Sequence, residues 1–486
     1  MTPFANSFYW YDLETSGLNT RWDRFTQFAG QRTDLDLNPV GDPLVFYVAL
    51  PHQVLPSAVA TLVTGLTPQK IQAEGMSEWD AINAIHAELC QPGTCTIGYN
   101  NISFDDEFIR FALFRNLLPP YAREFRNGNS RADLLTIVRA SAAMAPECLV
   151  WPRNEEGRIT TSLTAMANAN GIDPVGAHDA HADVQMSIAL ARIIKQNHPK
   201  MWDYLLTHCN KKSTEALLRK KHRMYMHVDA HYGAKRAFAA PVRMIARDPK
   251  SNTKIWVADL TANLDMLETA TPAELHDARF LSTEEAEKQN RERLAIHSIA
   301  TNRFTVLVPV NNLPAAVAEA TASDLDVVNR NIELLTRLAG PEFDQRLREV
   351  CNLANAYSSD QIDERDASER LYEGFPGKSD ERLCEAIHEA ISTNSSWPKT
   401  QASDARIKHL ATRLHYELRP EELDIGEQWH VDFVRQALKR KDVGVDAKRE
   451  EIKTLREDEA NANAEKAHLI DSVASYIDEI AQSYEV

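Results

Sequence analysis

Residues 7–17 read SFYWYDLETSG, and this stretch decides the fold. The aromatic, β-prone residues 8–13 predict a strand that breaks at the turn Thr15-Ser16-Gly17. Side chains alternate along a strand, so Asp12 and Glu14 share one face while Leu13 points to the other, into the core. Two carboxylates side by side repel unless a cation sits between them, and hard divalent ions such as Mg²⁺ favour such oxygen ligands. Alone the pair is weak: with 70 Asp and Glu in the chain, a D-x-E triplet should arise by chance roughly a couple of times.

Further strands are expected at 44–50 and 96–100, each bounded by Gly, Pro or Asn. Helical periodicity marks 78–89, 106–117, 133–143, 163–169 and 182–194. Strands alternating with helices imply an α/β mixed sheet covered on both faces. Two connections carry chemistry-bearing residues. In Asn100-Asn101-Ile102-Ser103-Phe104-Asp105-Asp106 a strand runs through a loop into a helix that begins near Asp105, where an Asp by itself is ordinarily a cap. In Ala177-His178-Asp179-Ala180-His181-Ala182-Asp183-Val184, Asp183 opens an amphipathic helix and His178 lies in the loop before it. A His beside an Asp is more often a satisfied hydrogen-bonded pair than a catalyst. Taken in order, the three segments supply four carboxylates and one histidine. Four acids can hold two metal ions about 4 Å apart, the separation suited to in-line phosphoryl displacement. His178, with a pKa near neutrality, would take the proton from the attacking water.

Asp12, Glu14, Asp105, His178 and Asp183 match, one by one, the motifs of the DEDDh 3′→5′ exonucleases, which residues 6–195 resemble. The histidine form is indicated because His178 lies five residues before Asp183; the sister form carries a tyrosine four before, where this chain has Asp179. The strings IGYNNISFDDEFIR (97–110), NSRADLL (129–135), ANGIDPVGAHDAHADV (169–184) and WDYLLTH (202–208) are similar to a bacterial, single-strand-specific branch of that superfamily. LYEGFPGKSDE (371–381) resembles a string in the branch's helical domain.

The resemblance implies an RNase H-like exonuclease domain at 1–198, a small SH3-like β-rich domain at 199–352 and an all-α C-terminal domain at 353–486, closing a groove over DNA. It implies hydrolysis of single-stranded DNA from the 3′ end to 5′-mononucleotides with two Mg²⁺ ions, in DNA repair and recombination in the cytoplasm. Asp12 would bridge both ions, Glu14 and Asp183 would complete one site, and Asp105 would support the other. His178 would be the general base, and Glu14 and Thr15 would lie by the terminal nucleotide. Mn²⁺ is an expected substitute, since oxygen ligands hardly distinguish the two. The family also docks the acidic, hydrophobic-ended tail of the single-stranded DNA-binding protein. Tyr204 and Arg223 fall at positions for that contact, whereas the basic residue expected just before Pro146 is Ala145.

At 486 residues the chain has room for two to four domains, and 43% apolar with 26% charged residues is the balance of an ordinary globular protein. A net charge of −16 argues against wholesale coating of nucleic acid but leaves local patches open. No apolar run approaches 18 residues, so no membrane-spanning helix is expected, and the first residues lack a signal-peptide pattern. Cys90, Cys95, Cys148, Cys209, Cys351 and Cys384 form no CxxC pair and read as small buried hydrophobes of a reducing compartment.

The charges segregate. Residues 211–254 hold twelve basic and three acidic residues, a net +9, with β-like runs following at 254–260 and 304–310. Single-strand binders combine such a positive groove with aromatics that stack on bases. Tyr225, Tyr232 and Phe238 are interleaved with the basic residues, as stacking platforms or equally as core aromatics. Arg110, Arg115 and Arg131 are candidate phosphate contacts. Beyond about residue 355 the pattern is helical, ending at 466–484, with loops expected at 358–367 and 393–401. An enzyme enclosing its own strand needs no second subunit, so a monomer is expected. Two alternatives remain: a non-catalytic single-strand adaptor, against which all five catalytic positions are filled, and a DEDDh exonuclease of short RNA, against which the long remainder after residue 198 speaks.

Overall fold

The strand around Trp10 is β1 (Ser7–Thr15) in the computed structural model, which describes residues 5–173, 179–208, 210–219, 224–313, 324–356, 365–399, 401–423, 426–458 and 463–486. β1 is covered on both faces: Phe8 and Trp10 enter one core, Tyr9, Tyr11 and Leu13 another. It pairs antiparallel with β2 (Phe25–Thr33), and β2 antiparallel with β3 (Leu44–Tyr47). On its other edge β1 runs parallel to β4 (Thr94–Gly98), and β4 parallel to β5 (Ser130–Asp133), giving the order β3-β2-β1-β4-β5.

Helices α1 (Ala58–Thr64), α2 (Pro68–Glu74), α3 (Glu78–Leu89), α4 (Asp105–Arg115), α5 (Leu134–Met144), α6 (Leu163–Ala169), α7 (Ala180–Asn197) and α8 (Pro199–Thr207) surround this sheet. α3 and α4 cover the Tyr9 face with Ile82, Ile85, Phe108 and Ile109; α5, α6 and α7 cover the Trp10 face with Ile137, Met166, Val184 and Ile188. The α/β arrangement is the one expected. Three details differ. β3 stops at Tyr47, because Val48 bridges Met76 instead of continuing the ladder. β2 and β5 escape the periodicity: Thr26, Gln27 and Gln31 are polar yet buried on β2, and β5 is four residues long. α7 starts at Ala180 with Asp179 as its cap, so Asp183 lies inside the first turn and does not open the helix.

A second sheet follows, β6 (Met224–Val228), β7 (Ala239–Arg247), β8 (Lys254–Asp259), β9 (Ile296–Ala300) and β10 (Val306–Pro309), antiparallel throughout in the order β10-β6-β7-β8-β9. Met201, Trp202 and Leu206 of α8, with Val228, Phe238 and Val306 of this region, share the core of Phe8 and Trp10. Apolar packing therefore runs without a break across residue 198.

The last part is helical, with helices Lys378–Ser392, Ala405–Leu418, Gly426–Leu438, Val445–Glu457 and Ala464–Ser483. It grips the first part at two places. Ile387, Ile407 and Leu410 bury against Phe111 and Phe114 of α4, and Val434, Ile470, Val473 and Ile477 against Leu55 and Ala58. Each such aliphatic contributes about 1.5–3 kcal/mol when fully buried, so these seams hold the helical part to the sheet without a linker having to do so. The loop expected at 393–401 lies between two of these helices, while most of the one at 358–367 falls outside the described residues. Cys95, Cys148 and Cys351 are buried, Cys90 and Cys384 half-buried, all free; Cys209 lies outside the described residues.

Candidate active site

Asp12 and Glu14 continue the row of Phe8 and Trp10, so the parity of β1 aims them at the face covered by α7. One oxygen from each of Asp12, Glu14 and Asp183 lies within 4.8 Å of the others, the one such three-acid cluster among the described residues. A register shift between Glu14 and Thr15 ends the regular β1–β2 ladder here, as bulges often do beside active sites. Asp105 arrives from the start of α4. It is 3% exposed, and its Oδ1 accepts a 3.1 Å hydrogen bond from the backbone N–H of Leu13. The β1–β4 register stops at Trp10 opposite Ile97, so beyond it a carboxylate, not a strand, meets the β1 backbone.

These acids are poised against one another. Burial pushes the Glu14 carboxyl up to about 8, with Asp183, Asp105 and Asp179 pushing the same way. Burial likewise carries Asp105 up to about 8, and Asp12 is driven well above the usual carboxylate range by burial and by Asp105, Asp183, Glu14 and Asp179. A divalent cation would relieve that repulsion, and a set of carboxylate oxygens fits Mg²⁺ or Mn²⁺.

The next residue in sequence behaves oppositely. Asp106 is 0% exposed, paired with Arg123 at 2.6 Å and with Arg131, and accepts from the Tyr11 hydroxyl. Burial alone would raise its pKa, but Arg123, Arg131 and Arg110 outweigh burial and hold it below the usual range. This network also engages the three arginines read as candidate phosphate contacts. Arg131 also pairs with Glu124 at 2.9 Å; Arg110 is clasped by Glu124 at 2.7 and 3.0 Å and by Glu107 at 2.5 Å; Arg115 grips Glu78 at 2.5 and 3.1 Å. All three are buried and paired with carboxylates, and Arg110 and Arg131 also line the cleft described below.

The Thr15 hydroxyl donates to the carbonyl of Gly17 at 2.9 Å and braces the turn after the acidic pair. His178 and Arg223 lie outside the described residues. Tyr204 donates to the carbonyl of Leu307 at 2.9 Å and stacks on His208, while Ala145 is fully buried. Sequence reasoning passes over Gln27, buried on β2 directly opposite Glu14. Its amide Nε2 donates to Asp179 Oδ2 at 2.8 Å, and its Oε1 accepts from Ala180 N at 3.2 Å. The available signal was a glutamine among the apolar residues of FTQFAG.

A cleft of about 2290 Å³ runs from Asn100, Ser103 and Asp133, beside the start of α4, past the second sheet to Tyr372 and Phe375 of the helical part. Tyr225 is not on it as a platform: it is 2% exposed, its hydroxyl donates to Leu217 O, and with Tyr232 and Phe238 it fills the core. The base-stacking expected of Tyr225 is therefore withdrawn, for want of an open ring face. The exposed rings on the cleft are Phe125, Phe280, Tyr372 and Phe375, the last 82% exposed within the LYEGFPGKSDE string. Of the basic stretch, Lys211, Lys212 and Lys254 are exposed on the cleft, while Arg236 and Arg247 pair with Asp259 and Glu215.

Strand-end carboxylates meeting a helix carboxylate on one face of this mixed sheet form a site for a divalent cation, and an exonuclease family matches residues 9–191, which makes this the acidic site of an exonuclease domain. The exonuclease I SH3-like domain matches residues 209–352 and the exonuclease I C-terminal domain residues 365–480. Exodeoxyribonuclease I of Haemophilus influenzae is 33% identical over 414 residues, covering 85% of this chain and 86% of that one. A moderately thermophilic exonuclease I from Methylocaldum szegediense superimposes with a TM-score of 0.88 at 32% identity, covering 98% of this chain and 99% of that one. E. coli exonuclease I, solved with a dA16 oligonucleotide, gives a TM-score of 0.90 at 29% identity, covering 98% of this chain and 100% of that one. The chain belongs to the exodeoxyribonuclease I family.

Proposed function

We propose that the chain hydrolyses single-stranded DNA from its 3′ end and releases 5′-mononucleotides. The observation that carries this reading is the convergence of Asp12, Glu14 and Asp183 within 4.8 Å, beside Asp105. The cleft supports a single-stranded substrate: exposed lysines would follow the phosphates, and Phe125, Phe280, Tyr372 and Phe375 offer faces on which bases of any identity stack. E. coli exonuclease I was solved with a DNA single strand.

Asp12, Glu14 and Asp183 would hold one Mg²⁺, and Asp12 with Asp105 a second. When bound, the ions supply a nucleophilic water near neutral pH and counter-charge for the leaving 3′ oxygen. The chain's own residues do the rest. Burial raises the pKa values of Glu14 and Asp105 in the metal-free site, so both would give up protons on holding a cation. We assign His178 as the base that takes the water's proton. Thr15 and Glu14 would flank the terminal nucleotide. We further assign the chain to DNA repair and recombination in the cytoplasm as a monomer, with the acidic tail of a single-stranded DNA-binding protein docking near Tyr204 and Arg223.

A deoxyoligonucleotide labelled at its 5′ end tests the reading. Stepwise shortening from the 3′ end is expected with Mg²⁺, none with EDTA, and none in Asp12→Ala or Asp183→Ala although both still bind the strand. Hydrolysis surviving in both variants would sink it, and faster loss of a matched RNA would move the substrate to RNA.

A further inference from the structure

The third carboxylate of the acidic site stands on a helix whose start is held from the strand opposite. A helix leaves its first N–H groups without intrahelical partners. In α7 those of Ala180, His181 and Ala182 are answered by Gln27 Oε1 at 3.2 Å and by Asp179 Oδ1 at 3.1 and 3.4 Å, and the Asp179 carbonyl accepts the first intrahelical bond, from Asp183 N–H at 3.1 Å. Asp179 is in turn fixed through its second oxygen by the Gln27 amide at 2.8 Å. Gln27 lies in register with Glu14, so one buried side chain ties the strand beside the acidic pair to the turn that carries Asp183.

We infer that the Gln27–Asp179 pair is a positioning device for divalent-ion binding, setting Asp183 against Asp12 and Glu14. This rests on the metal-dependent reading above. An ordinary hydroxyl cap would satisfy the helix equally well; a carboxylate cap locked by an amide also leaves a negative charge beside the site and forbids the first turn to rotate. Groups that orient ligands in this way typically matter 10–100-fold for metal affinity, as an order of magnitude.

The test uses the full chain and Mn²⁺. Gln27→Ala removes both amide bonds, and Gln27→Glu sets two carboxylates face to face. Gln27→Glu combined with Asp179→Asn reverses the polarity of the pair while keeping its hydrogen bonds and its charge. Calorimetric titration of the DNA-free protein should show each single Gln27 variant binding Mn²⁺ about 10–100-fold more weakly, with KM for a deoxyoligonucleotide within about twofold of the parent. The double variant should recover to within about threefold. Mn²⁺ binding within about twofold of the parent in Gln27→Glu, or no recovery in the double variant, would overturn the inference even if thermal stability changes. Should the unaltered chain bind no Mn²⁺, the metal reading itself falls and this role falls with it.

Discussion

Asp105 and Asp106 are neighbours in sequence, both buried, and they belong to two electrostatic worlds. Asp105 joins Asp12, Glu14 and Asp183, where burial and like charge push pKa values up. Asp106 points to the other side of the α4 start, into a nest of Arg123, Arg131 and Tyr11 that holds it ionised. The difference is one of compensation. The Asp106 network satisfies its charges with protein groups and so serves the fold. The Asp12 cluster gathers acids whose burial and mutual repulsion favour a cation among them. Removing a carboxylate should therefore have opposite consequences in the two places.

The largest effect expected is on hydrolysis. Asp12→Ala should lower kcat by at least about 10³-fold in a single-strand assay while leaving strand binding within a fewfold. Asp106→Asn strands the buried Arg123 guanidinium and takes one of two carboxylates from Arg131, and should cost about 3–5 kcal/mol in urea unfolding, with Mn²⁺ affinity of the folded fraction unchanged. If Asp106→Asn instead destroyed metal binding and spared stability, the division drawn between the two regions would be wrong.

The pH response sharpens the same contrast. Glu14 and Asp105 are pushed up to about 8 from ordinary values of 4.5 and 3.8, so the metal-free fold holds protons that the unfolded chain has released. Their contribution is neutral below the unfolded values and destabilises progressively as pH rises toward 8. In EDTA, Tm should fall over that window; Mg²⁺ should restore it, and Asp12→Asn should flatten the slope. Asp106, with its pKa lowered, has the opposite sign: its stabilisation is present above 3.8 and is lost only as pH falls through the folded value.

The smallest effect concerns the far end of the cleft. Phe375→Ala should weaken single-strand binding by about 1–3 kcal/mol, read by fluorescence anisotropy, without moving kcat or the metal midpoint. Tyr225→Ala, a core change, should lower Tm and leave the affinity of the folded protein alone.

Much of the site could be read along the chain because its geometry is local. The alternation of β1 puts Asp12 and Glu14 on one face whatever surrounds them, and a loop running into a helix puts Asp105 at a helix start. The ion pairs of the arginines were not legible because a guanidinium's partner is not written beside it: Arg115 finds Glu78, and Arg131 finds Asp106 and Glu124, only after the helices pack. The role of Gln27 was hidden for the same reason, its partner Asp179 lying 152 residues away. Tyr225 was misassigned because alternation cannot say which face of a small sheet is closed.

The order of residues alone determined the strand-and-helix alternation, the acidic residue types at the ends of those elements and the excess of positive charge after residue 210, since each follows from backbone periodicity or composition. Only the folded chain decided which carboxylates crowd one another, which are matched by arginines, and which rings remain open. Compensation and exposure are sums over neighbours brought from distant segments, and no local rule contains them.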